Sequence, residues 1–86
     1  MSKFVAYEPV LSSRAIGFLY SLRKAKQRKL IDLIFRVAAV PSQVGDYESR
    51  DDTGREIQHL RIGDLIISFW ADHAVKELRI VEIEET

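Results

Sequence analysis

The stretch Leu60–Trp70, with the sequence LRIGDLIISFW, decides the fold because it reads as two apolar strands joined by a tight turn. Leu60 and Ile62 flank Arg61, and after the turn the alternation of apolar residues continues to Phe69. This period of two is typical of strands that place one face on a core. Gly63 supplies the positive φ that a tight hairpin turn requires. The stretch therefore predicts a hairpin within a sheet.

The 86 residues are 47% hydrophobic and 30% charged, and they include no cysteine. A chain of this length has room for one core, so we expect residues 1–86 to form a single domain. Without cysteine there is neither a disulfide framework nor a thiolate zinc site, and the two histidines, His59 and His73, lack a ligand pattern around them. We therefore expect no metal and no cofactor.

The sequence lacks the features of a membrane or secreted protein. Its first residues, MSKF, do not form the apolar core of a signal peptide. Apolar runs such as Val37–Val40 are far too short to span a bilayer. These features predict a cytoplasmic protein, most simply a bacterial one, that does not bind membranes.

The formal net charge of zero hides a division along the chain. Residues 1–45 hold eight basic and two acidic side chains, whereas residues 46–86 hold five basic and eleven acidic ones. Such an asymmetry produces a dipolar surface whose positive part attracts a polyanion. Equally, the charges could solvate two exposed faces.

The first half of the chain predicts one strand followed by two helices. Phe4–Tyr7 has strand composition, and Pro9 is expected to end that strand. In Val10–Leu22 apolar residues recur at spacings of three and four, which predicts a one-sided helix. A second helix is predicted for Lys24–Ala39, before Pro41. The short connection favours an antiparallel helical hairpin with one shared apolar face.

The second half predicts strands only. We expect four of them, at Asp46–Arg50, Glu56–Ile62, Leu65–Trp70 and Glu77–Ile83. The turn residues that separate them favour an antiparallel meander, and Glu84–Thr86 is expected to be a loose tail. The predicted fold class is α+β, in the order β-α-α-β-β-β-β, with a two-helix hairpin packed on one face of an antiparallel sheet.

This order of elements, together with particular residues, resembles the RelE/ParE toxin family of bacterial type II toxin–antitoxin modules. The similarity covers nearly the whole chain. It rests on the early strand closed by Pro9, the basic second helix, the motif LRIGD at Leu60–Asp64 leading into an apolar strand, and the final strand Leu78–Ile83.

The resemblance implies a toxin that a cognate antitoxin holds inactive by wrapping its surface. RelE-like members cleave messenger RNA on the ribosome with arginines and lysines that bind phosphate, and many add a tyrosine or histidine near the C-terminus. ParE-like members instead inhibit DNA gyrase and need no hydrolytic site.

Two positions differ from the pattern of the family nucleases. Where those nucleases read Gly-Asp-Tyr-Arg, this chain reads Gly63-Asp64-Leu65-Ile66, and its last residues are acidic instead of basic or tyrosine-bearing. Three functions therefore stay open: a ribonuclease toxin, a gyrase-binding toxin, and a non-catalytic interaction protein on the same scaffold.

RNA cleavage requires an activated 2′-hydroxyl and stabilisation of the charge that develops on the phosphate. Arg61 is the best-placed candidate because its side chain leaves the sheet on the face opposite Leu60 and Ile62. His73, in a predicted turn, is the candidate general base, and His59 could act in the same way. The alternatives are that Arg61 pairs with an acidic neighbour and that both histidines are ordinary surface residues.

Positive side chains that could bind nucleic acid or a protein target fall into two groups. The first surrounds the start of the second helix: Arg23, Lys24, Lys26, Arg28 and Lys29. Lys26 and Lys29 should share one face of that helix, although the cluster is equally consistent with a solubilising elbow. The second group, Arg50 and Arg55, flanks the turn at Asp51–Gly54 and could simply pair with its aspartates.

The second face of the predicted sheet is less polar than a water-facing sheet, because it would carry Ile66, Trp70, Val81 and Ile83. An antitoxin segment, docked as a helix in a groove or as an added strand, would cover it, and so would a homodimer contact. Phe69 and Trp70 could stack on a base, but packing is their favoured role.

Overall fold

A computed structural model describes residues 5–86, which form five strands and two helices. In chain order these are β1 (Glu8–Leu11), α1 (Ser13–Tyr20), α2 (Lys24–Ala38), β2 (Tyr47–Arg50), β3 (Glu56–Ile62), β4 (Leu65–Asp72) and β5 (Glu77–Glu85). One strand, two helices and four further strands confirm the predicted α+β fold. Glu84 and Glu85 belong to β5, so the expected loose tail is wrong for these two residues.

The strands form one sheet in the order β1-β5-β4-β3-β2. Strands β2 to β5 pair antiparallel with their chain neighbours, as predicted, and β1 lies parallel to β5 at one edge. The hairpin between β3 and β4 pairs Ile62 with Leu65, and Gly63 has the predicted positive φ, 61°. Strand β4 therefore lies at the centre of the sheet.

The N-terminal strand lies later in the chain than predicted. The predicted strand Phe4–Tyr7 falls partly outside the described residues, and its described part is not a strand. Pro9 is part of β1 instead of ending a strand. Proline is tolerated here because β1 is an edge strand, where a missing N–H on the outer side costs no ladder hydrogen bond. The first helix is correspondingly shorter than Val10–Leu22.

Helix α1 begins after Ser12, a residue type that is favoured at helix N-caps. The Ser12 hydroxyl accepts a hydrogen bond from the Ala15 N–H at 3.1 Å and donates one to the Val81 carbonyl oxygen at 2.7 Å. The Ser12 N–H donates to the Ile80 carbonyl oxygen at 2.9 Å. Ser12 therefore starts the helix and also fastens it to β5.

Helix α2 ends within one residue of its predicted end and turns its apolar face to the sheet through the buried residues Leu30, Ile34, Val37 and Ala38. The Ala38 carbonyl oxygen accepts a hydrogen bond from the Tyr7 N–H at 2.9 Å, which ties the helix to the segment before β1. Neither helix of the described residues is long and apolar enough to cross a membrane.

The core lies between the two helices and one face of the sheet. Its largest fully buried side chains are Leu30 from α2, Ile67 and Phe69 from β4, and Leu78 and Ile80 from β5. Ala15 of α1 belongs to the same cluster. Both helices lie on this face, so within residues 5–86 the other face of the sheet has no helix over it.

A β-bulge in β5 changes which residues face the core. Ser68 pairs with Glu82 and Phe69 pairs with Ile80, so Val81 has no partner of its own on β4. One extra residue reverses the alternation that follows it. Ile83 is consequently 3% exposed and packs in the core opposite Ile67. The prediction that Ile83 lies on the second face with Val81 is therefore wrong.

The bulge predicts unequal effects for two similar substitutions. Ile83→Ala should lower the free energy of unfolding by about 2–5 kcal/mol, because it leaves a cavity in the core. Val81→Ala should lower it by about 1 kcal/mol or less, because the Val81 side chain is only half-buried. Urea unfolding of both variants measures the difference. Equal losses would contradict the placement of the bulge.

Candidate functional site

The sheet face without helices, called the open face from here on, collects several of the predicted site residues. The strand register places these side chains on it: Tyr47, Ser49, Ile57, His59, Arg61, Ile66, Ser68, Trp70, Arg79 and Glu82. Histidine, arginine and aromatic side chains are the groups with which proteins bind RNA and move its protons. The open face is therefore the candidate site.

His59 is held at the middle of the open face by two serines on neighbouring strands. Its Nε2 atom lies 2.7 Å from the Ser49 hydroxyl on β2, and its Nδ1 atom lies 2.7 Å from the Ser68 hydroxyl on β4. Ser68 is 3% exposed, so its hydroxyl fixes the ring from the buried side. In a neutral imidazole one nitrogen donates and the other accepts, and a serine hydroxyl can match either role. The ring orientation is thus fixed before any ligand binds.

Tyr47 stacks on His59 across the β2–β3 pair. The two ring centroids are 4.6 Å apart and the ring planes differ by 8°. Tyr47 is nevertheless 50% exposed, because β2 is the outermost strand of the sheet. The stack protects one side of His59 and leaves much of the tyrosine ring in solvent.

Arg61 lies on the same face as His59, two residues further along β3 and about 7 Å away along the strand. Its side chain is exposed and forms no ion pair with any residue between 5 and 86. Its backbone N–H donates to the Asp46 carboxylate at 2.7 Å, and its guanidinium reaches the Thr86 hydroxyl only at 3.5 Å. The alternative that Arg61 is paired with an acidic neighbour therefore does not hold.

His73 lies at the opposite end of the sheet from Arg61. Arg61 is paired with Ile66, and His73 follows Ile66 by seven residues along and just beyond β4, a distance of about 20 Å. The His73 Nδ1 atom is 2.8 Å from the Tyr7 hydroxyl, and the two rings make an edge-to-face contact. The structure therefore does not bring the two predicted catalytic residues, Arg61 and His73, together, because Arg61 lies near the hairpin end of β3 and His73 follows the far end of β4. His59 is the histidine beside Arg61.

Trp70 is covered from within the chain. The Arg55 guanidinium lies 3.8 Å from the centroid of the indole, and the Arg79 guanidinium lies 5.8 Å from it. Ile57, beside Trp70 on the open face, is only 5% exposed. These arginines supply part of the cover expected over this face, and they leave Ile66, Trp70 and Val81 half-buried.

Arg50 and Arg55 are both engaged by the turn between β2 and β3. Arg50 donates to the Gly54 carbonyl oxygen at 2.9 Å, and Arg55 pairs with the Asp51 carboxylate at 3.5 Å. Asp51 also accepts hydrogen bonds from the Thr53 hydroxyl and from two backbone N–H groups. The Thr53 hydroxyl, more than any other group, holds the pKa of Asp51 below its usual value. Both arginines are therefore bound by groups of the turn, as the alternative to a binding role expected.

The basic cluster of α2 lies on the helical side of the sheet, away from the open face. Its members, Arg23, Lys24, Lys26, Arg28 and Lys29, are all exposed. Lys26 and Lys29 line one groove of about 350 Å³ between α2 and the β3–β4 hairpin, which confirms that they share a face of the helix. Leu22, Leu30 and Leu33 line the same groove.

Two carboxylates meet on the helical side of the β2–β3 pair, where the Gln58 amide donates to Glu48 at 3.1 Å and to Glu56 at 3.2 Å. A hydrogen bond with Glu48, and then its negative charge, raise the pKa of Glu56 above its usual value. Hydrogen bonds from Glu56 and Gln58 lower the pKa of Glu48. Among residues 5–86 no three histidine, aspartate or glutamate side chains converge in a metal-binding arrangement.

The backbone before β2 packs directly on His59. A Cβ atom on Gly45 would lie 2.5 Å from the His59 carbonyl oxygen, so only glycine fits. The Gly45 N–H donates to the Gln58 side-chain oxygen at 2.8 Å, and the Asp46 N–H donates to the His59 carbonyl oxygen at 2.8 Å. This contact positions β2, and with it Tyr47 and Ser49, beside His59.

The sequence interpretation missed three residues of the site: Tyr47, Ser49 and Ser68. A signal for Ser68 was present, because a two-residue hairpin loop at Gly63-Asp64 aligns it with His59. Tyr47 and Ser49 carried no comparable signal, since the loop between β2 and β3 is longer and leaves the register open.

Known structures share this fold at low sequence identity. No protein-family model matches the sequence, and no curated protein matches it either. A chain of the RelBE2 toxin–antitoxin complex of Mycobacterium tuberculosis is 17% identical with a TM-score of 0.79, over 100% of this chain and 98% of that chain. A chain of the archaeal RelE–RelB complex of Pyrococcus horikoshii is 18% identical with a TM-score of 0.67, over 94% and 96%.

A third similar structure is a chain of the intact RelBE toxin–antitoxin complex of Escherichia coli. It is 13% identical with a TM-score of 0.57, over 94% of this chain and 98% of that chain. Identities this low, together with coverage of nearly the whole of each chain, establish a common fold.

Gly45→Ala should disturb the site and Gly17→Ala should not. The new Cβ at position 45 must push the His59 backbone away, which should cost about 1–3 kcal/mol of stability and shift the NMR signals of the His59 ring. Gly17 is an exposed position of α1 with no atom within 4 Å of the new methyl group. Gly17→Ala should therefore stabilise the protein by about 0.5–1 kcal/mol. A Gly45→Ala variant as stable as the wild type would contradict the close approach.

Glu56→Gln should stabilise the protein at pH 7 more than at pH 4. Because the pKa of Glu56 is raised, its contribution to stability is present at low pH and is lost as the pH rises through that pKa. Glutamine cannot ionise, so the variant does not lose this stability as the pH rises. Melting temperatures of wild type and variant at both pH values measure the effect, and Glu84→Gln makes the same change in net charge at a distant exposed position. A gain that grows toward pH 4 would reverse the assigned sign.

Proposed function

We propose that this chain is the toxin of a bacterial type II toxin–antitoxin module and that it stops growth by cleaving messenger RNA at the ribosome. The shared fold with chains from toxin–antitoxin complexes supports the module. The main observation in favour of ribonuclease activity is the placement of His59 beside Arg61 on the open face.

The proposed reaction is an internal transfer at a phosphodiester. His59 takes the proton of a ribose 2′-hydroxyl, and the resulting oxygen attacks the adjacent phosphorus. The bond from phosphorus to the 5′-oxygen of the next nucleotide breaks, and that oxygen takes up a proton from water. The products are a 2′,3′-cyclic phosphate and a 5′-hydroxyl. Arg61 stabilises the extra negative charge on the phosphate oxygens in the transition state.

The two serines have unequal parts in this reaction. Ser68 is buried and holds His59 Nδ1, so it is a positioning residue that keeps Nε2 turned toward solvent. Ser49 is exposed and hydrogen-bonds Nε2, where the substrate hydroxyl would take its place. Removing the Ser49 hydroxyl should therefore affect cleavage much less than removing the imidazole.

The proposed partner is a cognate antitoxin that covers the open face in the inactive complex. Ile66, Trp70 and Val81 are half-buried there and would become fully buried under an antitoxin segment. An antitoxin on this face also blocks access of RNA to His59 and Arg61. The proposed location is the cytoplasm, where the ribosome is.

A second candidate is a toxin that binds its target, such as DNA gyrase, without cleaving RNA. The groove with Lys26 and Lys29 favours this alternative, because it has an apolar lining and lies away from the open face. The two lysines face Asp64 and Glu85 across the groove lining, so a protein target would meet charges of both signs there. A non-catalytic interaction protein would use the same groove.

Induction of the chain alone in a bacterial host tests the ribonuclease proposal. Wild type should arrest growth and produce discrete messenger RNA cleavages in primer extension. His59→Gln and Arg61→Ala should each reduce cleavage by about 10²–10⁴-fold, because each removes a group that acts only in the transition state. Ser49→Ala should retain most activity. Arg36→Ala, an exposed arginine on α2, is the matched control for loss of positive charge.

The other outcomes separate the candidates. Arrest with intact messenger RNA, abolished by reversing the charges of Lys26 and Lys29, would favour a target-binding toxin. Growth that continues with folded, soluble protein would favour the interaction protein. Arrest with cleavage that survives both His59→Gln and Arg61→Ala would show that the assigned residues are wrong.

A further inference from the structure

We infer that the outer ring face of Tyr47 is a stacking platform for a nucleobase of single-stranded RNA. The inference rests on the proposed function for the choice of RNA as ligand. The site itself follows from the geometry of Tyr47 and from the residues that hold it.

One side of the Tyr47 ring is packed against the protein, and the other side is exposed to solvent. Its inner face lies on the His59 imidazole, with nearly parallel planes and centroids 4.6 Å apart. Strand β2 is the edge of the sheet, so no strand formed by residues 5–86 covers the outer side of the Tyr47 ring. Half of the residue is exposed. Covering an aromatic surface of this size with a flat apolar group is energetically favourable. A nucleobase is such a group, because it can stack through either of its ring faces.

The ring is also held in place before a ligand arrives. Ser49, two residues after Tyr47, bonds His59 Nε2 at 2.7 Å, and Asp46, one residue before it, donates its N–H to the His59 carbonyl oxygen. Gly45 packs on the His59 backbone so closely that a Cβ there would lie 2.5 Å from the carbonyl oxygen, which adds a further contact between this segment and β3. A platform that is already rigid loses less conformational entropy on binding than a mobile side chain.

One cation near the ring, Arg61, is placed to hold a phosphate of a short RNA, while the Asp46 carboxylate beside the ring accepts the Arg61 backbone N–H. Arg61 is exposed and free of ion pairs within residues 5–86, and it lies about 7 Å along β3 from the residue that Tyr47 stacks on. A base on Tyr47 and a phosphate at Arg61 would place the intervening ribose near His59. Stacking uses the face of the base and not its edge, so we expect little sequence preference.

A second exposed tyrosine provides a matched control. Tyr20 is 74% exposed, but it lies on α1, on the other side of the sheet, and within residues 5–86 it makes no aromatic stack and no cation–π contact. A nonspecific affinity of RNA for exposed rings would involve both tyrosines. A platform at the site would involve Tyr47 alone.

The test uses a short single-stranded RNA that cannot be cleaved, because its 2′-hydroxyls are methylated, with 2-aminopurine as one of its bases. Quenching of the 2-aminopurine fluorescence reports stacking and gives the Kd with purified protein. Tyr47→Leu should weaken binding about 5- to 150-fold, which corresponds to the loss of one base stack. Tyr47→Phe should stay within about twofold of the wild type, and Tyr20→Leu should not change the Kd.

A measurement without substitution covers the case in which Tyr47→Leu fails to fold. On addition of the RNA, the ring-proton NMR signals of Tyr47 should move upfield, while those of Tyr20 should stay in place. Failure of the wild type to bind the RNA, equal affinities of wild type and folded Tyr47→Leu, or unshifted Tyr47 signals would each overturn the inference. Because binding is measured without cleavage, the result is independent of growth arrest and of the roles of His59 and Arg61 in the reaction.

Discussion

The β-bulge at Val81 connects the sheet, the helices and the site. Its extra residue turns Ile83 into the core, and its carbonyl oxygen accepts the hydrogen bond from Ser12 that fastens α1 to β5. Helix α1 is therefore anchored to the sheet at the same irregularity that interrupts the alternation of β5, and α2 packs on the same face through its apolar residues. With both helices on that face, the other face is left to carry His59, Arg61 and Trp70.

The antiparallel half of the fold was predictable because its signals are local. The two-residue turn at Gly63-Asp64 sets the register of β3 and β4, and period-two alternation marks both strands. The prediction was wrong where the same local sequence is compatible with two structures. Pro9 ends a central strand but is accepted in an edge strand, and only the assembled sheet shows which applies. The prediction for β5 assumed unbroken alternation through Val81, whereas the bulge shifts the core positions from Ile80 to Ile83, so Ile83 was assigned to the wrong face.

The site was predictable only in part, for a related reason. Arg61 could be assigned to the open face from alternation alone. Which histidine, His59 or His73, lies near Arg61 depends on how the strands are arranged in the sheet, and no short sequence motif indicates that arrangement. Tyr47 depends on a register set by a longer loop and by the contact of Gly45 with the His59 backbone, a contact between residues far apart in the sequence. The net charge of each half of the chain also did not predict where the site lies, because the exposed Arg61 belongs to the acidic half.

Strand β2 differs from every other strand in that all four of its residues are exposed. Tyr47 and Ser49 contribute to the open face, Glu48 and Arg50 lie on the helical side, and none of the four belongs to the core. Substitutions on β2 can therefore alter what the open face recognises while leaving the hydrophobic packing, and so most of the stability, unchanged. The outer wall of the site is thus separate from the residues that form the core, so its recognition surface could be redesigned without repacking the protein.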